Sequence, residues 1–201
     1  MSSLLLHCLT KRFGEKLLFS GLSHRFPERG LFLILGSSGS GKTTLLRMIA
    51  GLDTDFAGRI EGGGADAVSF AFQEARLFPS LTAVRNVSEV LRAAGMSREA
   101  AEKAAEEALL AIGFPEGDLK SRPAALSGGM CQRVALARAI AAPRGILLLD
   151  EPERGLDEPL RLRLYERIAA EAKRRLVLVV THTPERLLPI SDGTLTIGGE
   201  N

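Results

Sequence analysis

Residues Leu31 to Thr44 read LFLILGSSGSGKTT. Five apolar residues run into a glycine-rich loop, and the loop ends in Lys-Thr-Thr just before LLRMIAG begins a helical pattern. Gly36, Gly41, Lys42 and Thr43 satisfy G-x-x-x-x-G-K-[ST], the spacing of a phosphate-binding loop. Glycines let backbone N–H groups converge on phosphate oxygens. Lys42 brings a point charge to the β/γ-phosphates, and Thr43 offers a hydroxyl to Mg²⁺. Because the loop opens a helix, the unpaired N–H groups and dipole of the helix N-terminus add to the same anion site. The phosphate-cradling set is therefore Gly36, Ser37, Ser38, Gly39, Ser40, Gly41, Lys42, Thr43 and Thr44. A glycine-rich surface turn is the plain alternative. The strand before the loop and the helix after it argue for a nucleoside-triphosphate site.

Composition adds bounds. A chain of 201 residues, 45% of them hydrophobic, can bury one good core with a small satellite lobe. A net charge of +2 gives no support for a nucleic-acid groove. Cys8 and Cys131 lie far apart and form no metal-binding spacing, as expected of a reduced cytosolic protein. MSSLLLHC carries no basic run and no apolar stretch long enough for a signal peptide, so none is expected. The runs LFLIL, ILLL and LVLVV are far shorter than the ~18 residues of a membrane span, so a membrane role is expected to be peripheral.

Three apolar runs, Leu31–Leu35, Ile146–Leu149 and Leu176–Val180, read as buried parallel strands. Leu4–Leu9, the stretch around Gly58–Glu61 and Ala67–Phe72 read as shorter strands, expected to be antiparallel. Ser97 can cap a helix through EAAEKAAEEALLAI, which Gly113 ends in a left-handed conformation. From Leu81 to about Pro123 the pattern is helical. The fold class expected is α/β: a P-loop NTPase core with a mainly parallel sheet, a small antiparallel β lobe and an inserted helical lobe. The chain reads as one domain over 1–201, with 1–80 and 140–201 forming the core and β lobe and 81–139 the helical lobe.

A second stretch, LSGGMCQRVALARAI at Leu126–Ile140, would alone be an ordinary turn and helix cap. After it comes GILLLDEP, an apolar strand that delivers Asp150 and Glu151 at its carboxyl end. Asp150 is placed to hold Mg²⁺ through water beside the phosphate loop, and Glu151 to act as general base toward a water attacking the γ-phosphate. In isolation such an acidic pair would be a surface loop.

Together these residues resemble the nucleotide-binding subunits of ABC (ATP-binding cassette) transporters over nearly the whole chain. The motifs fall in order: the phosphate loop, the Q-loop glutamine Gln73 in AFQEARLFP, the signature LSGGM at Leu126–Met130, and the Walker B strand Ile146–Asp150 with Glu151. GLD at Gly155–Asp157 is the D-loop, and His182 in VVTHTPE is the switch histidine. Phe13, in TKRFGEK, stands where the family places an aromatic that stacks on adenine; its other reading is core packing.

The resemblance implies roles. Lys42 and the loop amides would grip the β- and γ-phosphates of ATP, while Thr43, Gln73 and Asp150 would serve Mg²⁺. Gln73 would also sense the γ-phosphate and connect it to the helical lobe, and His182 would support the reactive arrangement with Glu151. Ser127, Gly128, Gly129 and the D-loop Asp157 would meet nucleotide bound to the opposite subunit of a head-to-tail dimer. That subunit would be a second copy or a paralogous ATPase. Integral membrane permease subunits would dock near the Q-loop, where Arg76, Leu77 and Phe78 are the exposed candidates; a Leu-Phe pair before Pro fits a packed loop equally well. A substrate-binding protein would act only through the permease, and no nucleic acid is expected. The location implied is cytoplasmic, peripheral on the inner face of the cell membrane.

The wording FQEARLFP and LSGGM-x-QRVALARA resembles importer ATPases of the nitrate, sulfonate and taurine group or their thiamine-type relatives. Departures from the family pattern include the short Lys42-to-Gln73 spacing, Cys131 in the signature helix, Arg154-Gly155 in the D-loop and Thr183 after the histidine. Only IGGEN follows the last strand-like stretch, and no regulatory domain is expected. Other classes to weigh are a soluble ABC-type ATPase in nucleic-acid repair or on ribosomes, and a nonhydrolytic nucleotide-dependent regulator. The transported substrate is not legible.

Overall fold

The computed structural model describes residues 3–198; Met1 and Ser2 of the leader reading and the final GEN lie outside the described residues. Its elements run β1 (Leu5–Phe13), β2 (Lys16–Arg25), β3 (Gly30–Leu35), α1 (Lys42–Ile49), β4 (Ala57–Glu61), β5 (Val68–Ala71), α2 (Ala83–Ala93), α3 (Arg98–Ala111), α4 (Gly128–Ala141), β6 (Ile146–Asp150), α5 (Glu158–Ala172), β7 (Leu176–Val180) and β8 (Gly193–Thr196). The architecture is α/β, with a five-stranded sheet ordered β5-β6-β7-β3-β8 and a three-stranded antiparallel sheet ordered β2-β1-β4. Two compact units result, one of 1–70, 144–150 and 169–201, the other of 71–143 and 151–168.

In the first unit, the continuous apolar runs of β6 and β7 are buried along their whole length, as strands covered on both faces must be. β3 pairs in parallel with both β7 and β8, and β6 pairs in parallel with β7. The core is built from Ile34, Leu45, Leu46, Ile49, Leu148, Leu178 and Val180, together with Leu4, Leu6, Leu9 and Phe26. Lys11 is buried among them, and its ammonium is 2.9 Å from Asp53 and also bonded to the Asp55 carbonyl.

Two expectations need correcting. The segment at Ala67–Phe72 yields β5, which is the edge strand of the five-stranded sheet beside β6 and not a member of the antiparallel sheet. The amide of Ile146 donates to the Ala67 carbonyl (3.0 Å), and the Ser69 hydroxyl to the Ile146 carbonyl (3.3 Å), which fixes that pairing. The first strand extends to Phe13 and turns through Gly14 and Glu15 into β2, a strand absent from the sequence reading. β2 buries only Phe19, so it lacks the alternation that marks a half-buried strand.

In the second unit α2, α3 and α4 pack pairwise. Each begins at a hydroxyl cap: Thr82 accepts from the Arg85 amide, Ser97 from Ala100 and Ser127 from Met130. Gly113, at φ 77, follows the end of α3 as its spacing predicts. Asn86 is wholly buried and uses its entire amide. Its Oδ1 accepts from the Phe78 amide (2.8 Å), and its Nδ2 donates to the carbonyls of Phe78, Leu81 and Thr82. Among the described residues no helix is long and apolar enough to cross a membrane.

Candidate nucleotide site

The phosphate loop leaves β3 at Gly36 (φ 152) and enters α1 through Gly41, which caps the helix in the left-handed region at φ 98. At Gly36 a side chain has no room. A Cβ there would collide with the Ile197 carbonyl and lie 2.6 Å from Ser40 Oγ. The Lys42 ammonium donates to the carbonyls of Gly36 (2.7 Å) and Ser37 (2.9 Å), so it folds back across its own loop and leaves the residue only 7% exposed. Ser40 is buried, and among the described residues its hydroxyl has no hydrogen-bond partner. Ser37, Ser38, Gly39 and Thr43 are exposed, while Thr44 is half-buried in the first turn of α1.

Sheet register brings three further positions to the same edge. Val180 of β7 pairs with Ile34 of β3 on one side and with Asp150 of β6 on the other. The loop after β3 and the Asp150 carboxylate therefore leave the carboxyl edge at one level, two strand spacings or ~10 Å apart. His182 follows β7, between them, and is exposed. Thr181 is buried, with its Oγ1 accepting from the Thr183 amide (3.0 Å). Open parallel sheets bind ligands at this edge. Phe13 is 54% exposed, which removes the core-packing reading, and the Lys11 ammonium lies 4.8 Å from its ring centroid.

The second unit holds the other candidates. Gln73 Nε2 donates to Glu151 Oε2 at 3.0 Å. Glu151 sits at φ 50, a conformation that costs a non-glycine residue about 1–3 kcal/mol and that clusters at functional sites. Two side chains of α4 hold the segment after β5: Gln132 donates to the Phe72 carbonyl (3.1 Å), and Arg138 to the carbonyls of Ala75 (3.3 Å) and Arg76 (3.0 Å). Sequence reasoning missed both anchors. Arg76 and Phe78 are exposed and Leu77 is half-buried.

Ser127 and Gly128 are exposed at the start of α4. The Ser127 oxygen accepts from the Met130 amide, which leaves its O–H as a donor for an external acceptor. Gly129 packs near the Gly155 carbonyl. Asp157 also acts locally, since its Oδ1 accepts from the Leu160 amide (3.0 Å) at the start of α5. The half-buried Cys131 Sγ lies 3.7 Å from the Pro123 carbonyl, and burial raises the thiol pKa.

The family model described as ABC transporter matches residues 19–154. An Fe(3+) ions import ATP-binding protein of Rhizobium meliloti (strain 1021) is 40% identical over 205 residues, covering 96% of this chain and 58% of its own length. The corresponding protein of Brucella melitensis biotype 1 is 41% identical, over 92% of this chain and 55% of its own length. An aliphatic sulfonates import ATP-binding protein of Rhodococcus jostii (strain RHA1) is 40% identical, over 94% and 76%. The chain thus spans little more than half the length of the first of these curated relatives. Among solved structures, an ATP-binding cassette in a dimeric post-hydrolysis state with ADP and Pi superposes with a TM-score of 0.85 at 29% identity, covering 96% of this chain and 94% of that one. Matched from within β2 to beyond Glu151 by the family model, and over more than nine-tenths of its length by these relatives, the chain belongs to the ABC transporter family.

Proposed function

We propose that the protein is the ATP-binding and ATP-hydrolysing subunit of an ABC importer, closing as a head-to-tail dimer around two ATP molecules and driving a membrane permease. The observation that carries this reading is the alignment of the phosphate loop, His182 and Asp150 at the carboxyl edge of three adjacent strands, β3, β7 and β6. Lys42 and the loop amides bind the phosphates, and Phe13 offers a π-face to the base. Glu151, oriented by Gln73, takes the proton of the attacking water, and His182 supports the γ-phosphate.

The donor set fits Mg²⁺. Thr43 is an exposed hydroxyl in the first turn of α1, and Asp150 is a buried carboxylate at the same sheet edge. Among the described residues no cluster of three or more His, Cys, Asp or Glu could form an all-protein metal cage. Mg²⁺ in nucleotide sites relies instead on one or two protein oxygens plus phosphates and water. When bound, the ion neutralises charge on the phosphates.

Ser127, Gly128 and Gly129, together with Asp157, meet the γ-phosphate of the partner subunit's ATP. ADP lacks the oxygens they grip, so hydrolysis withdraws the contacts that favour the closed dimer. In the division of labour, 1–80 and 140–201 hold nucleotide and 81–139 relay its state to a permease at the inner face of the cell membrane. The names of the relatives, both iron and sulfonate import proteins, support import.

The test is affinity purification of the tagged protein from detergent-solubilised membranes of its own host, with mass spectrometry of the eluate. Recovery of a polytopic permease is expected and would narrow the cargo. Recovery of soluble partners alone would overturn the transporter reading in favour of a soluble ATPase.

A further inference from the structure

The hairpin that carries Phe13 brings a second side chain to the nucleotide site. Phe13 and Lys16 are directly opposed across the β1–β2 pair, and cross-strand partners project from the same face of a sheet. Lys16 is exposed, and no carboxylate among the described residues pairs with it. Its stem reaches the crest of the phosphate loop: a Cβ placed on Gly39 would lie 3.6 Å from Lys16 Nζ. Among the described residues, apart from the chain neighbours of Gly39, no other atom lies within 4 Å of that point. Lys42, by contrast, commits its ammonium to the carbonyls of Gly36 and Ser37.

We propose that Lys16 is a second cation of the nucleotide site, binding the inner phosphates that ATP and ADP share. The inference rests on the nucleotide-binding reading given above. A base stacked on Phe13, with its outer phosphates at Lys42, must pass its inner phosphates between the hairpin and the loop crest. Lys16 is anchored opposite the ring and ends at that crest. An ammonium there gains a charge-assisted hydrogen bond to a phosphate oxygen on binding and breaks no ion pair to do so. A flexible stem suits it to a point-charge role, whereas a planar bidentate clamp would need arginine.

The experiment is isothermal titration of the full chain with ATP and with ADP at two salt concentrations, using wild type, Lys16→Ala, Lys16→Gln, Lys16→Arg and Lys42→Ala. Lys16→Ala and Lys16→Gln should each weaken ATP and ADP alike by about tenfold and flatten the salt dependence, and Lys16→Arg should recover most of the loss. Thermal unfolding should be unchanged in all three Lys16 variants, because the side chain is exposed. Affinities unchanged in Lys16→Gln while Lys42→Ala loses binding would overturn the role of Lys16 and leave the nucleotide site standing. Loss for ATP alone would overturn the assignment to the inner phosphates. Failure of the wild type to bind either nucleotide would overturn the nucleotide-binding reading itself.

Discussion

The Gln73 amide holds the Glu151 carboxylate by a 3.0 Å hydrogen bond, although the two residues are 78 positions apart in sequence. One end of that bond is fixed by α4, whose Gln132 ties down the neighbouring Phe72 carbonyl. The other is fixed by the left-handed backbone of Glu151. Glu151→Gln should keep ATP binding and lower turnover by about 10²–10⁴-fold, the usual worth of a general base. Gln73→Ala, which removes only the orienting amide, should cost less. Phosphate release measured beside ATP titration decides it, and a Glu151→Gln protein turning over at more than half the wild-type rate would sink the assignment.

Ser127 offers its hydroxyl hydrogen outward while its oxygen caps α4. On the proposed clamp across the dimer, Ser127→Arg should leave binding of ATP to the protein's own loop nearly intact and abolish hydrolysis. Equal loss of binding and turnover would refute action across the dimer.

Gly36 has both a φ of 152 and a wall behind it. Gly36→Ala must displace Ile197 or Ser40, at a strain cost of about 1–3 kcal/mol. For a chain of this size that lowers the melting temperature by roughly 2–4 °C per kcal/mol. The cavity it deforms is the phosphate cradle, so ATP affinity should fall as well. A melting curve that overlays wild type would show the loop to be more accommodating than its geometry implies.

Asn86 satisfies one amide and three carbonyls from a fully buried position. Asn86→Ala strips all of them and should destabilise the protein by about 2–4 kcal/mol, since each orphaned buried group carries its desolvation cost. A urea midpoint within error of wild type would contradict this. The same variant should loosen the segment carrying Phe78, one of the three candidates for permease docking in the sequence reading.

Lys11 predicts an alkaline dependence. Its hydrogen bond to Asp53 raises its pKa above the ordinary 10.5, outweighing burial, which pulls it down. A raised lysine pKa contributes stability that is fully present below the unfolded value and is lost as pH rises through the folded one. The stability gap between wild type and Lys11→Met should therefore be constant up to about pH 10 and narrow above pH 10.5. Denaturation midpoints of the two proteins across pH 8–11.5 test it, and a gap that stays constant over the whole range would exclude the ion pair as its source.

The parts of the fold legible in sequence are those with a local signature. β3, β6 and β7 announce themselves as unbroken apolar runs, Ser97 and Gly113 bracket α3 by cap chemistry, and the loop glycines mark the tight passage from β3 into α1. β2 and the sheet assignment of β5 were not legible. The first exposes most of its residues, and the second depends on a partner strand that begins 75 positions after its last residue. The same holds for the anchoring of the Gln73 segment. Arg138 meets carbonyls 62 and 63 residues earlier in the chain, and no short-range pattern encodes such a contact.

The carbonyl behind Gly36 belongs to Ile197, whose amide in turn bonds to the Leu35 carbonyl. β8 is stitched beside β3 at its start as well, through Asp192 and Leu31 in both directions. The nucleotide cradle is therefore finished from behind by residues made some 160 positions after the loop itself. During synthesis a ribosome would have released nearly the whole cassette before that wall could dock. Such a distant closure is slow to find by diffusion. A nascent chain would therefore gain the wall behind its loop only when its last strand had docked.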